Sequence, residues 1–189
     1  IEIQTPIIID ENGVATLALT FTDPDLLDTH TIEVDWQDGS TQTFSLAAGV
    51  TSFSTTHQYL DDNLPGPATE DYDITVRVTD SAGEFAEETS KITVLNVAPS
   101  NLQVAPIAPI NENGVATLNL SFDDPGTVDD HTVEVDWGDG SAVQVFTVPI
   151  GDRTFSATHK YFDDNPTGTA ADEYTVQVRL ADDDLGATT

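Results

Sequence analysis

Two stretches of the chain gather hard oxygen donors around a turn. Asp61-Asp62-Asn63-Leu64-Pro65-Gly66 is followed by Glu70-Asp71, and Asp163-Asp164-Asn165-Pro166-Thr167-Gly168 by Asp172-Glu173. Calcium takes several oxygen ligands from carboxylates, amides and backbone carbonyls. In each stretch acids lead into a glycine-containing turn, and further carboxylates return after a short excursion. Such a loop can wrap one ion from its own residues, by the logic of an EF-hand loop without its spacing. The competing reading is a polar loop whose Asp and Asn side chains cap their own backbone. Both readings stay open on the sequence alone.

A second acidic group joins two loops at one end of each half. Asp23-Pro24-Asp25 and Asp28 go with Asp80, and Asp123-Asp124-Pro125, Asp129 and Asp130 go with Asp182-Asp183-Asp184. Carboxylates crowded in this way are costly unless a cation or hydrogen bonds compensate them; solvated loop acids are the alternative. The four histidines divide as His30 and His131, which open equivalent strands, and His57 and His159, each in a His-x-Tyr pattern. Zinc requires several converging ligands, so a structural role is expected for them.

Catalysis finds little support. Cysteine is absent, which removes disulfides, thiolate metal sites and a cysteine nucleophile. Paired carboxylates are too abundant to single out an acid and base. There is no Gly-x-Ser-x-Gly elbow, His-Glu-x-x-His helix or phosphate-cradling loop. The expectation is a protein that is not an enzyme.

The elements that must position these residues follow from an internal repeat. Ile9-Asp10-Glu11-Asn12-Gly13-Val14-Ala15-Thr16-Leu17 returns as Ile110-Asn111-Glu112-Asn113-Gly114-Val115-Ala116-Thr117-Leu118. Glu33-Val34-Asp35-Trp36 returns as Glu134-Val135-Asp136-Trp137, and Asp38-Gly39-Ser40 as Asp139-Gly140-Ser141. The period suits an independently folded module rather than a solenoid unit. Within each copy the apolar period is two: Leu17, Leu19 and Phe21; Ile32, Val34 and Trp36; Tyr72, Ile74, Val76 and Val78. The second copy repeats it with Val133, Val135 and Trp137 and with Tyr174, Val176, Val178 and Leu180. One face of each strand is therefore buried and the other acidic and wet.

This pattern, with Asp38-Gly39 and Asp139-Gly140 as hairpin turns, predicts an all-β fold of two tandem immunoglobulin-like β-sandwiches. The expected domains are 1–95 and 102–189, joined by a short linker at 96–101 that carries Pro99. Tyr72 and Tyr174 are expected to form tyrosine corners. The first copy closes with Lys91-Ile92-Thr93-Val94-Leu95, whereas the second reaches Thr189 before an equivalent. The second sandwich is thus expected to lack its last strand. Opening mid-pattern at Ile1, the chain reads as an excerpt of a longer protein.

Charge narrows the partners. Five basic residues face 34 acidic ones, for a formal net charge of −29. Nucleic acid is a poor partner and anionic membrane surfaces are disfavoured, since both are recognised through Lys and Arg, and no run is long and apolar enough to span a membrane; the expectation is no nucleic-acid partner and no membrane insertion. A disordered acidic tail is excluded because the acids are interleaved with alternating strands. Bound divalent cations or a saline medium are the remaining ways to offset the repulsion.

Trp137-Gly138-Asp139-Gly140, then Thr158-His159-Lys160-Tyr161, then Tyr174-Thr175-Val176-Gln177-Val178, resembles the polycystic kidney disease (PKD) domain family over nearly all of both copies. Gln37 departs from the glycine usual in that family, which implies a modified turn. The resemblance implies Ig-like spacer, adhesion or binding modules, a structural role for the second histidine of each copy, and an extracellular or cell-surface location. The Asp-Asp-Asn insertion resembles a subgroup found in long bacterial surface proteins. Some PKD-like domains bind calcium between the two loops of the second acidic group. Carried over, that site involves Asp124 and Asp182 with Asn96 or Asn101 nearby, and Asp23 and Asp80 in the first copy.

The expected function is therefore that of calcium-stabilised spacer modules in a large extracellular adhesin-type protein. Such a chain would be monomeric, with neighbouring repeats of the same chain as partners and a surface glycan or protein as a further candidate. Two alternatives compete. One is a carbohydrate- or protein-binding accessory to a secreted enzyme. The other is a salt-adapted fold whose acids hold no specific ion.

Overall fold

The computed structural model describes residues 1–62, 68–162 and 170–189; Asn63, Asp163, Asp164 and Asn165, named above as ligand candidates, lie outside them. The chain divides into two units, Ile1–Asn96 and Val97–Thr189.

In unit 1 the alternating segments become strands: β1 (Glu2–Gln4), β2 (Ile8–Asp10), β3 (Val14–Thr20), β4 (His30–Asp35), β5 (Thr41–Leu46), β6 (Ser52–Gln58), β7 (Thr69–Asp80) and β8 (Phe85–Leu95). A three-stranded sheet runs β1-β3-β6, and a five-stranded sheet runs β2-β8-β7-β4-β5. Neighbours are antiparallel except β2 and β8, which pair in parallel. Pro6 sits between β1 and β2. Lacking an amide donor, it ends the first ladder and lets the chain cross to the other sheet. The inward phases of both sheets meet in one core, with Leu17, Ile32, Trp36, Ile74, Val76, Ile92 and Val94 all at 0% exposure. Each such aliphatic side chain stabilises the fold by roughly 1.5–3 kcal/mol relative to an exposed position.

Unit 2 repeats the plan with β9 (Ser100–Val104), β10 (Val115–Asp123), β11 (His131–Asp136), β12 (Gln144–Val148), β13 (Thr154–Lys160), β14 (Gln177–Ala181) and β15 (Ala187–Thr188). Its sheets are β13-β10-β9 and β12-β11-β14-β15. Its core is Leu118, Leu120, Phe122, Val133, Val135, Trp137 and Leu180. Both units are immunoglobulin-like sandwiches, and the protein is all-β. The closing strand of unit 2 is represented only by the two residues of β15, against eleven in β8. Ser100 and Asn101, expected in the linker, belong to β9, where Ser100 pairs with Asp123.

The turns differ in detail from expectation. Asp38-Gly39 lies in a longer loop closed by the Trp36 amide donating to Ser40 O at 3.1 Å. Gln37 takes the same left-handed conformation (φ 67°) as Gly138 (φ 75°), so the Gln costs strain without changing the turn.

Candidate functional site

In unit 1 the loop after β3, the start of β4 and the end of β7 bring Asp23, Asp28 and Asp80 together. Each offers a carboxylate oxygen, and the three oxygens lie within 4.8 Å of one another. Local bonds fix them. Asp23 Oδ1 accepts the Asp25 amide at 2.8 Å and its Oδ2 meets His30 Nε2 at 2.7 Å. Asp28 Oδ1 accepts the Ser81 hydroxyl at 2.6 Å. Asp80 Oδ1 accepts the Ala82 and Glu84 amides, both at 2.9 Å, and so builds the β7–β8 turn. The Asp25 amide and then His30 hold the Asp23 carboxyl below its ordinary value, against a smaller opposing effect of burial.

The fit to a cation is geometric. Oxygens bound at about 2.4 Å to one calcium ion lie no more than about 4.8 Å apart. Three oxygens gathered this closely, all from carboxylates, form a hard-donor set. Calcium prefers such a set, and imidazole- or thiolate-seeking metals do not.

Unit 2 carries a related but different group. Asp124, Asp129 and His131 converge within the same 4.8 Å. The Asp124 Oδ2 to His131 Nε2 contact is 2.8 Å, with both side chains at 0% exposure. Asp129 is also buried. Asp182, the counterpart of Asp80, is not in that group. Its Oδ1 accepts the amides of Asp184 at 3.1 Å and Gly186 at 2.6 Å, so it shapes the β14–β15 turn. Asn101 is engaged by Asp123, to which it donates at 2.9 Å, and the Asn96 amide donates to Ala68 O. Asp28 and Asp129 complete the two groups instead. The signal that marks them is the i, i+2 spacing of Asp28 and His30, repeated in Asp129 and His131. That spacing puts acid and imidazole on one face of an extended segment.

The other loop candidates do not all face one point. Glu70 and Asp71 are consecutive on β7 and so point to opposite faces. Asp71 is engaged on the outer face by Lys91 Nζ at 2.9 Å and the Thr93 hydroxyl at 2.6 Å. Thr93 and then Lys91 hold its carboxyl below the ordinary value. The two acids therefore cannot both close around an ion with Asp61 and Asp62; this corrects the expectation of a self-contained loop. Asp62 is buried and Asp61 half-buried. Asp172 and Glu173 are likewise consecutive, with only Asp172 half-buried.

The histidines next to the tryptophans are half-buried and pack on the core. His57 stacks on Trp36 with centroids 4.7 Å apart and 18° between planes, and His159 stacks on Trp137 at 4.9 Å and 12°. Each is anchored by the turn aspartate, His57 to Asp38 at 2.6 Å and His159 to Asp139 at 2.8 Å. The tyrosine bonded across the core is Tyr59, whose hydroxyl donates to Trp36 O at 3.0 Å, and likewise Tyr161 to Trp137 O at 2.7 Å. The corner expected at Tyr72 is not formed. Tyr72 lies inside β7, and its buried hydroxyl has no hydrogen-bond partner among the described residues.

No family model matches the chain, and neither does any curated protein. Similar solved structures include a segment of two fibronectin type-III domains from chicken tenascin, at 13% identity. It covers 96% of this chain and 89% of that one, with a TM-score of 0.44. The FN1–FN3 domains of chicken CNTN1 match at 11% identity over 97% of this chain and 60% of that chain, TM-score 0.30. A marsupial T cell receptor matches at 9% over 95% and 65%, TM-score 0.36. The chain thus spans less than two thirds of the length of the last two. Among the described residues no helix is long and apolar enough to cross a membrane.

Proposed function

We propose that the chain is a pair of PKD-like structural modules from a large extracellular adhesin-type protein, each stiffened by calcium at its aspartate cluster. The observation that carries this reading is the convergence of Asp23, Asp28 and Asp80 within 4.8 Å. Five basic residues cannot neutralise 34 acids, so a cation supplied from solution offsets repulsion that the chain cannot offset itself. In unit 2 Asp124 and Asp129 supply the carboxylates, while His131 holds Asp124 in place. In unit 1 the ion would tie the loop after β3 to Asp80 at the end of β7 in the opposite sheet, fixing that end of the sandwich; in unit 2 it would pin the loop between β10 and β11. Both tryptophans are at 0% exposure, which removes the rings best suited to stacking on a sugar and weighs against a carbohydrate-binding accessory.

The test is thermal unfolding at fixed ionic strength with calcium, with magnesium, and with chelator, alongside binding calorimetry. Calcium is expected to raise the midpoint more than magnesium and to bind with measurable heat. A midpoint that follows ionic strength alone, equal for sodium and calcium salts, replaces the reading with a salt-adapted fold.

A further inference from the structure

The loop that opens each aspartate cluster is held differently in the two units. Asp23-Pro24-Asp25 and Asp124-Pro125-Gly126 make the same turn. The Asp25 amide donates to Asp23 Oδ1 and the Gly126 amide to Asp124 Oδ1, each at 2.8 Å. Beyond the turn they part. Asp25 Oδ1 accepts the Leu27 amide at 3.0 Å and so fastens the next step of its own loop. Gly126 has no side chain with which to do this.

In unit 2 the fastening comes from the turn between β12 and β13. Arg153 is seated there by its carbonyl, which accepts the Phe122 amide at 3.1 Å, and its guanidinium lies over the Phe122 ring, 5.7 Å from the centroid. From that seat Nε donates to Asp124 O at 3.4 Å, Nη2 donates to Gly126 O, and Nη1 donates to Asp152 O at 3.1 Å. One planar cation thus joins backbone carbonyls of two loops, a bridge suited to the fixed fork of guanidinium donors. In unit 1 the same seat, marked by the Phe21 amide donating to Thr51 O at 3.0 Å, belongs to Thr51. Its short neutral side chain cannot span two loops.

We propose that Arg153 is the resident cation of unit 2. It holds the loop between β10 and β11 with no added ion, the task that the calcium reading gives in unit 1 to an ion from solution.

Charge supports this role. The loop that Arg153 clasps contains Asp124, Asp129 and Asp130, and oxygens of Asp124 and Asp129 lie within 4.8 Å of one another. Their repulsion opens the loop unless positive charge or donors oppose it. Of the other basic residues, Lys91 and Arg179 meet carboxylates across neighbouring strands, in exposed pairs that stabilise little. Arg153 is half-buried and bonded to carbonyls, where a charged donor contributes more. The clasp itself needs no calcium; only the comparison with unit 1 rests on the function proposed above.

The test is residue-resolved amide exchange of the intact 189-residue protein in chelator. The amides of Asp25 and Gly126 make matched bonds, so a difference between them reports what else holds each loop. After correction for intrinsic rates, Gly126 is expected to exchange roughly tenfold more slowly than Asp25, the worth of one charged hydrogen bond. Arg153→Met keeps a stem against Phe122 and loses the donors; it is expected to abolish that advantage. Should Arg153→Met unfold, Arg153→Lys, with one ammonium in place of the fork, is expected to lose most of it. Equal exchange of the two amides in wild type, or an advantage that survives in the variant, overturns the proposal. So does a loss shared evenly by every amide of unit 2 with Gly126 still slower than Asp25, which marks a general stabilising contact. Added calcium is expected to slow Asp25, and Gly126 of the Met variant, while leaving wild-type Gly126 nearly unchanged. Wild-type Gly126 slowed by calcium as much as Asp25 refutes the substitution of Arg153 for an ion. If calcium slows none of them, the calcium reading fails, and the exchange in chelator still decides for or against the clasp.

Discussion

Asp80→Asn separates a calcium site from a merely acidic loop, because the two readings predict responses of opposite pattern. In the ion-free protein Asp80 lies within 4.8 Å of carboxylate oxygens from Asp23 and Asp28. Two unit charges at that distance repel by about 1 kcal/mol in bulk water and by about 3 kcal/mol at an effective dielectric near 20. For partly exposed groups the lower figure governs, so removing one charge relieves about 1–2 kcal/mol from the two pairs. The substitution keeps the turn, since an Asn oxygen accepts the Ala82 and Glu84 amides that Asp80 Oδ1 now accepts at 2.9 Å. The variant is therefore expected to be more stable than wild type in chelator, with the midpoint of unit 1 raised by about 5 °C. Calcium at about a hundred times its Kd stabilises wild type by about 2.7 kcal/mol, and the variant loses most of that gain. Thermal unfolding of both proteins with and without calcium gives the four midpoints needed. If Asp80→Asn lowers the ion-free midpoint, or keeps the full calcium response, the cluster is not the site of stabilisation.

Tyr59→Phe deletes the donor to the Trp36 carbonyl and leaves that buried acceptor unpaired; a loss of about 1–2 kcal/mol in urea unfolding is expected, with a similar loss for Tyr161→Phe in unit 2. A Cβ at Gly138 would lie 2.4 Å from the Thr175 carbonyl oxygen at φ 75°, so Gly138→Ala is expected to destabilise unit 2 by about 2 kcal/mol or more, whereas Gln37→Gly relieves a left-handed Gln and raises the unit 1 midpoint slightly. In acid, the Ser141 hydroxyl, opposed by burial and aided by His159 and the Ser141 amide, holds the Asp139 carboxyl at about 2. Because the unfolded chain titrates near 3.9, the stabilisation from this group is complete above about pH 4 and is lost as pH falls through about 2. Ser141→Ala raises that carboxyl's pKa, and acid unfolding of unit 2 followed by circular dichroism is expected to begin at higher pH.

The strands were legible because burial phase is a local property. Ile32 and Val34 of β4 and Trp36 just beyond it alternate in the sequence and are each buried, and the repeat shows the same for Val133, Val135 and Trp137. Side-chain partnership was not legible in the same way. Glu70 and Asp71 look like a carboxylate pair when read along the chain, but a strand sends consecutive residues to opposite faces, and the partner of Asp71 is Lys91 across the ladder. Tyr72 and Tyr59 differ similarly. Each is an aromatic near a strand end in sequence, and only the crossing of sheets decides which hydroxyl reaches the Trp36 carbonyl.

The aspartate clusters combine the two cases. Asp23 and Asp80 were identifiable as loop acids at one end of the sandwich, but Asp80 and Asp182, equivalent in the repeat, have diverged in use. Asp80 both builds its turn and joins a carboxylate group, whereas Asp182 builds its turn and leaves the group to Asp124, Asp129 and His131. Replacing a third carboxylate by an imidazole lowers the negative charge available to an ion, since Asp23 and Asp124 are each held by a histidine, at 2.7 and 2.8 Å, and only the carboxylate count differs. On the proposed reading, unit 2 is therefore expected to bind calcium more weakly than unit 1. In a calcium titration the unfolding of unit 1 should shift first and unit 2 only at higher concentration. Shifts in the reverse order would mean that the carboxylate count within 4.8 Å does not set the affinity.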